Sequence, residues 1–393
     1  MKKVLVLYEE EQFYWNWLQP LWWCSREFRV RGVRILFAPF MRFRLFRTFI
    51  SRGGVSPESI HHDLSFFASK ISGNQYDIIM CSFHYNDGFF KLSIEEQNQV
   101  FKYLREHCKK LVWLDPSDST GTCSFQVMPF VDLYLKKQLL KDKRLYLKNH
   151  YGQRIYSDYY YRKLGLETEK DTVVSFQALK SEHIKKLGVS WNVGIGKIGF
   201  NNSKRVNRIT SLLGIKDNVE KKTIQICKRR YRLFFDGAYK EDGALLHQRK
   251  MTHTLIEQLH RDDCVSPQNR FDRRKYLQYM KDTMLNISPF GYGEICFRDF
   301  EAYNFGGCLV KPSMEHIETY PDYYKPYKTY IPIDWDFSGF FNIFELLDSD
   351  EGLDKVQEIA SNGKLFYKSQ SLSTKEGRMR FVEHILDTLQ IYE

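Results

Sequence analysis

Short apolar runs closed by Gly, Pro, Asp or Ser recur along the chain, and longer stretches with helical spacing lie between several of them. Residues Lys2 to Tyr8 (KKVLVLY) predict a first strand and Tyr76 to Phe83 (YDIIMCSF) another. The stretch from Ser93 to His107 predicts a helix with Ser93 as N-cap and Glu96 in the capping-box position. Lys109 to Asp115 is a third strand, and Val131 to Lys143 reads as a further one. Strand, helix and strand in that order imply a parallel sheet with right-handed crossovers. The G-x-G-x-x-G fingerprint is missing after the first strand, so dinucleotide binding is not expected.

From Ser175 the chain reads as a helix and then a Gly-broken segment, and the polar, basic passage Asn201 to Lys222 predicts the interdomain linker. Beyond it, Thr223 to Cys227 predicts a strand and Arg232 to Phe235 a second, ending at Asp236-Gly237. The run Lys228, Arg229, Arg230 and a helix from about Gly243 are expected to bring cationic charge toward a cleft. Three further helical patterns close the chain. Two α/β domains follow, 1–205 and 206–375.

The second domain centres on Asn286 to Pro312. An apolar run (Met284 to Ile287) meets a Pro/Gly turn, then Glu294, Arg298 and Glu301, then Gly306-Gly307 and a second apolar run ending at Lys311-Pro312. This reads as strand, glycine loop, helix and strand, with the loop at the sheet edge where open α/β folds bind ligands. Gly291 and Gly293 let backbone N–H groups approach a phosphate, and a helix start favours an anion. Arg298 and Glu301 are three apart on the helix, an arginine suited to phosphate and a carboxylate to a ribose diol. An ordinary α/β connection with an internal Arg–Glu pair reads the same residues without a ligand.

The pattern R-x-x-E-A-x-x-x-G (Arg298, Glu301, Ala302, Gly306) resembles the donor-site signature of GT-B glycosyltransferases, both the large retaining family and the exostosin-like group. The resemblance implies two Rossmann-like domains facing across a cleft, with residues 376–393 as a helix packing back on the first domain. The first would hold a glycan or lipid-linked glycan acceptor, the second a nucleotide-sugar donor. It implies donor contacts from Glu301, from Ser288 and the loop at Gly291 and Gly293, and from Arg298, Lys311 and His316. Gly293 stands where the retaining family has its first glutamate, and Glu294 is displaced by one. Phe234, Phe235, Gly237 and Arg249 resemble the opening of the donor domain in exostosin-like and capsule-type enzymes. FFDGAY is similar to the retaining β-Kdo transferases of bacterial surface polysaccharides, which implies Asp236 as nucleophile toward CMP-Kdo. From its position alone Asp236 reads as a base, a nucleophile, a loop cap or a plain Asp-Gly turn. Glu294 is a second catalytic candidate. Asp158, among four tyrosines in RIYSDYYYRKLG, reads as an acceptor base in a tyrosine-rich patch that would cradle a sugar, or as part of a packed loop. Asp115 and Asp118 read as acceptor or catalytic groups, or as turn and cap chemistry.

Composition narrows the setting. The 393 residues are 43% hydrophobic and 27% charged, which fits globular domains without a membrane span. Eight scattered cysteines with no C-x-x-C predict neither disulfides nor a zinc site, and the expected compartment is the cytoplasm, at or near the inner face of the inner membrane. No metal or other cofactor is expected beyond the donor, because cations and helix termini would take the leaving phosphate. A net charge of +11 calls for an acidic partner. Arginines from Arg26 to Arg52, with Phe43, Phe46 and Phe49 among them, read as an anionic membrane contact or as a basic face over a buried aromatic stripe. Nucleic acid is not expected, since no RNP, KH or helix-turn-helix pattern accompanies them. The competing functional class is a non-catalytic membrane- or nucleic-acid-binding protein on the same scaffold.

Overall fold

The computed structural model describes residues 1–8, 12–39, 71–84, 88–167, 177–195, 224–239 and 243–392. The linker and residues 40–52 of the Arg26–Arg52 stretch lie outside them. In the first half run β1 (Lys2–Tyr8), α1 (Gln12–Trp23), α2 (Ser25–Val30), β2 (Val33–Pro39), β3 (Tyr76–Ser82) and α3 (Ile94–Glu106). Then come β4 (Cys108–Asp115), β5 (Leu133–Lys136), β6 (Gln138–Leu140), α4 (Ile155–Leu164) and β7 (Leu187–Val189). Six strands pair in the order β2-β1-β3-β4-β5-β7, every neighbour parallel. Val4 to Leu7 are all buried because helices cover both faces, which is why the strand shows an unbroken apolar run. The capping box ahead of α3 forms as its residues predict: Glu96 N–H donates to Ser93 Oγ (3.2 Å) and Ser93 N–H to Glu96 Oε2 (2.8 Å).

The second half contains β8 (Tyr231–Phe234), α5 (Gly243–Glu257), β9 (Cys264–Val265), α6 (Arg273–Lys281), β10 (Thr283–Ile287) and α7 (Phe297–Phe305). It continues with β11 (Cys308–Pro312), β12 (Ile317–Thr319), β13 (Ile331–Ile333), α8 (Phe340–Glu345), α9 (Asp350–Ser369) and α10 (Lys375–Thr388). The order β13-β11-β10-β8-β9 is again wholly parallel. Successive crossovers change side between β8 and β10, leaving a crevice at the carboxyl ends of those two strands. The short antiparallel pair β6–β12 stitches the halves together.

Helix α10 returns to the first sheet. Phe381, Val382, Ile385, Leu386 and Leu389 are buried with Leu21, Cys24, Phe28 and Trp191, and Arg378 pairs with Glu27 at 2.6 Å. Helix α4 serves both domains: Tyr156 and Tyr160 are buried in the second domain's core beside Phe234, Phe290 and Phe300.

Four local expectations are corrected. The strand read over Val131 to Lys143 is two, β5 and β6, because Lys137 breaks the run to reach Asp118 at 2.7 Å. The helix read after Ser175 is a 3-10 turn over Ser181–Lys186, and the described part of Thr223–Cys227 leads into the 3-10 turn Ile226–Lys228. Arg229 does not face a cleft. It is buried and donates to the Phe305 and Gly306 carbonyls (2.8 and 2.7 Å), where it satisfies the end of α7, and burial lowers its pKa to about 10. Gly306 ends that helix in the left-handed conformation, φ 68°, which favours glycine.

Candidate functional site

The crevice between β8 and β10 is lined by Phe234, Asp236, Met280, Asn286, Ile287, Ser288 and Arg298. It is too narrow throughout to admit a water molecule. Three of the lining side chains carry buried polar atoms without a hydrogen-bond partner: Asp236 Oδ1, Asn286 Oδ1 and Nδ2, and Arg298 Nε. Each such atom costs on the order of 1–3 kcal/mol. Asp236 takes one hydrogen bond from Phe271 N–H (3.2 Å) and has Arg270 Nε at 3.7 Å. Burial raises its pKa against the opposing pull of that hydrogen bond and of Arg270 and Arg298. Arg298 donates to the Pro289 carbonyl (3.1 Å) and lies over the Phe235 ring.

Other candidates frame this crevice with their functional atoms engaged. Glu301 accepts from Arg273 (2.5 Å) and from Tyr276 Oη (2.5 Å) and is 3% exposed. Lys311 is fully buried, donating to the Ser288 carbonyl (3.2 Å) and pairing with Asp299 (3.2 Å). Asp299 also accepts from Ser288 Oγ (2.5 Å), Tyr324 Oη (2.7 Å) and Cys296 N–H (3.0 Å). Arg249 donates to the Ala238 carbonyl (2.7 Å), and Gly237 lies so close to the Phe235 ring that a Cβ there would stand 2.3 Å from it.

The glycine loop faces the other domain. Gly291 N–H is bonded to Gly293 O (3.0 Å), and a Cβ on Gly293 would lie 1.8 Å from the Asp118 carbonyl oxygen. Glu294 is wholly buried, accepting from Thr120 Oγ1 (2.7 Å) and Thr120 N–H (3.0 Å) across the seam. Arg154 donates to the Tyr292 carbonyl (2.8 Å) and Tyr156 Oη to that of Gly291 (2.5 Å). These contacts hold the carboxyl edges of the two sheets face to face.

In the first domain Asp115 is a buried structural anion. Burial alone would raise its pKa, but Lys136 at 3.0 Å and hydrogen bonds from Tyr134 and Ser117 hold it below the usual range. Asp158 accepts from Tyr151 N–H (2.8 Å) and Arg162 Nε (2.7 Å), with His150 at 3.3 Å; these outweigh burial and hold its carboxyl low. It stands on α4, away from the crevice. His316 lies between Phe290 and Trp335 with Nε2 unpaired. Desolvation lowers its pKa to about 3, and that of His84 to about 4. A folded-state pKa below the unfolded one means the unfolded chain takes up the proton first. Stability is therefore complete above about 6.5 and falls as pH drops, by up to about 1.4 kcal/mol per unit for each such histidine. Between pH 6.5 and 5, His316→Gln should recover up to about 2 kcal/mol of the wild-type loss in urea unfolding.

Asn286 and Thr120 were not among the site residues read from sequence. Asn286 carried a signal, as the one amide inside the run Thr283–Ile287; Thr120 carried none, because its partner is 174 residues away.

Among the described residues, no helix is long and apolar enough to cross a membrane, and no group of three or more His, Cys, Asp or Glu is placed to hold a metal. No protein-family model and no curated protein matches the chain. Solved structures align over its length at low identity. An alpha-glucosyltransferase in complex with UDP is 10% identical with TM-score 0.45, covering 99% of this chain and 100% of that one. A putative UDP-N-acetylglucosamine 2-epimerase from Listeria monocytogenes is 10% identical (TM-score 0.43; 100% and 97%). The catalytic domain of Starch Synthase IV from Arabidopsis thaliana bound to ADP and acarbose is 10% identical (TM-score 0.42; 98% and 99%). Two parallel sheets of the same winding, carboxyl edges facing each other, with the last helix returned to the first domain, give this chain a GT-B fold.

Proposed function

We propose that the chain is a glycosyltransferase that takes a sugar from a nucleotide-activated donor held in the second domain and passes it to a glycan acceptor. The observation that carries this reading is the crevice at the β8/β10 switch point, whose lining residues Asp236, Asn286 and Arg298 have buried acceptor and donor atoms without a hydrogen-bond partner. A polar ligand with both donors and acceptors would satisfy them. No part of the crevice is wide enough for a water molecule, so donor binding in this reading requires its walls to move apart. Arg298 is a lining cation open to the leaving phosphate, whereas Lys311 is held by Asp299. The FFDGAY resemblance supports Asp236 as nucleophile, CMP-Kdo as donor and a bacterial surface glycan as acceptor. In that scheme an Asp236 oxygen bonds the anomeric carbon as the bond to the nucleotide breaks. An acceptor hydroxyl then displaces it and releases its proton.

A panel of UDP, GDP, CMP and ADP tests the reading by thermal shift. A nucleotide bound at a hundred times its dissociation constant stabilises by about 2.7 kcal/mol. Asp236→Asn should abolish transfer and change nucleotide affinity by only a few-fold. It should also raise stability at neutral pH by about 1 kcal/mol, because it removes a desolvated carboxylate. The sign is that of an acid whose folded pKa is raised: its ionisation weighs on the fold above the unfolded value and is relieved at lower pH. An Asp236→Asn protein that still transfers sugar rules out the nucleophile. The non-catalytic reading is favoured by one observation, that Glu294, Glu301 and Lys311 are all engaged internally. Silence from all four nucleotides would select it.

A further inference from the structure

A second opening lies farther along the same carboxyl edge. It holds about 460 Å³ and is bounded by Ile155, Asp158, Tyr159, Arg162, Lys163 and Trp335, within the size range of small-molecule sites. Ile155, Asp158, Tyr159 and Arg162 fall at i, i+3, i+4 and i+7 and so share one face of α4. Trp335 forms the opposite wall just past β13, the edge strand. β11 and β10 separate it from the crevice, which at strand spacing is roughly 10 Å or more.

Two features of this groove define a ligand. Tyr159 and Trp335 are half-buried and meet edge to face, centroids 5.2 Å apart at 83°, so they make an aromatic corner, with Lys163 Nζ 5.4 Å from the centre of the Tyr159 ring. The charges cancel in pairs: Arg162 Nε is 2.7 Å from Asp158 and Lys163 Nζ is 2.5 Å from Asp336. Asp158 is held further by Tyr151 N–H, and Lys163 also donates to Tyr159 Oη at 3.0 Å. An anion entering here meets no uncompensated cation and would have to displace a carboxylate. A neutral molecule with an apolar face and a rim of hydroxyls meets flat rings and fixed donors and acceptors at once.

From this combination we propose that the groove is a saccharide site for an uncharged pyranose, separate from the crevice. Binding there stands without the transferase reading; within that reading, on which the next step does rest, the ring held here belongs to the acceptor glycan.

The test uses the full chain on an array of neutral and acidic glycans, followed by calorimetry with the neutral glycan retained best. Tyr159→Leu removes one ring at similar volume. Arg162→Met removes a side chain 67% exposed, and equal unfolding midpoints check that Asp158 tolerates the loss of its partner. Each variant is expected to weaken the neutral glycan about tenfold while leaving the affinities for UDP, GDP, CMP and ADP as in the wild type. The proposal is overturned by a wild type that retains no neutral glycan, by variants that bind as the wild type does, or by retention confined to acidic glycans with steep salt dependence. Variants that lose nucleotide affinity as well overturn the separateness of the two sites. A wild type that retains neutral glycans but answers to no nucleotide keeps the groove and removes the donor reading.

Discussion

Lys311→Met should lower the unfolding free energy by about 3–5 kcal/mol, read from urea denaturation. Lys311 and Asp299 are both fully buried, and the methionine fills the space of the lysine stem while removing its charge. Asp299 would keep hydrogen bonds from Ser288, Tyr324 and Cys296 N–H but lose the neighbouring cation that offsets its burial. The companion substitution Asp299→Leu in the same chain should restore part of the loss, since a paired removal leaves no isolated charge, though Ser288 and Tyr324 would then lack their acceptor. A single variant within about 1 kcal/mol of the wild type would mean that Asp299 is not carrying a charge in the core. The first domain repeats the device with Lys136 and Asp115, also fully buried and also at the carboxyl edge of its sheet.

Gly293→Ala should separate the two domains. Its methyl carbon would lie 1.8 Å from the Asp118 carbonyl oxygen and 2.4 Å from the carbonyl carbon, so backbone rather than a flexible side chain would have to yield. The cost should reach about 3 kcal/mol or more, with the hydrogen bonds of Thr120 to Glu294 lost as the seam parts. Small-angle scattering should report a larger radius of gyration, and proteolysis should find the Asp115–Gly121 loop. An unchanged scattering profile together with an unchanged unfolding midpoint would show that the seam tolerates a side chain there.

The strand–helix alternation was legible because buried parallel strands leave unbroken apolar runs and their helices leave caps; β1, β3, β4 and α3 fall where those signals lie. The glycine loop, α7 and β11 were legible for the same reason. The partners of the charged residues were not. Glu301 reads equally well as a ribose ligand or as the acceptor for Tyr276 and Arg273, and sequence spacing does not distinguish them. Glu294 finds Thr120 only through the meeting of two domains. Glycine is also ambiguous: at Gly293 a missing side chain that would suit a phosphate instead accommodates a carbonyl of the facing domain. Asp236 lies just past β8, as its place after the apolar run indicates, and its Oδ1 is buried without a hydrogen-bond partner.

Helix α10 also sets an order of assembly. Lys2 Nζ donates to the Ile391 carbonyl and Lys110 Nζ to that of Leu389 (2.9 Å), so the opening strand and the closing residues share one patch of interior. During synthesis the nascent first sheet must wait, with Leu21, Phe28 and Trp191 uncovered, until residues 381–391 have left the ribosome.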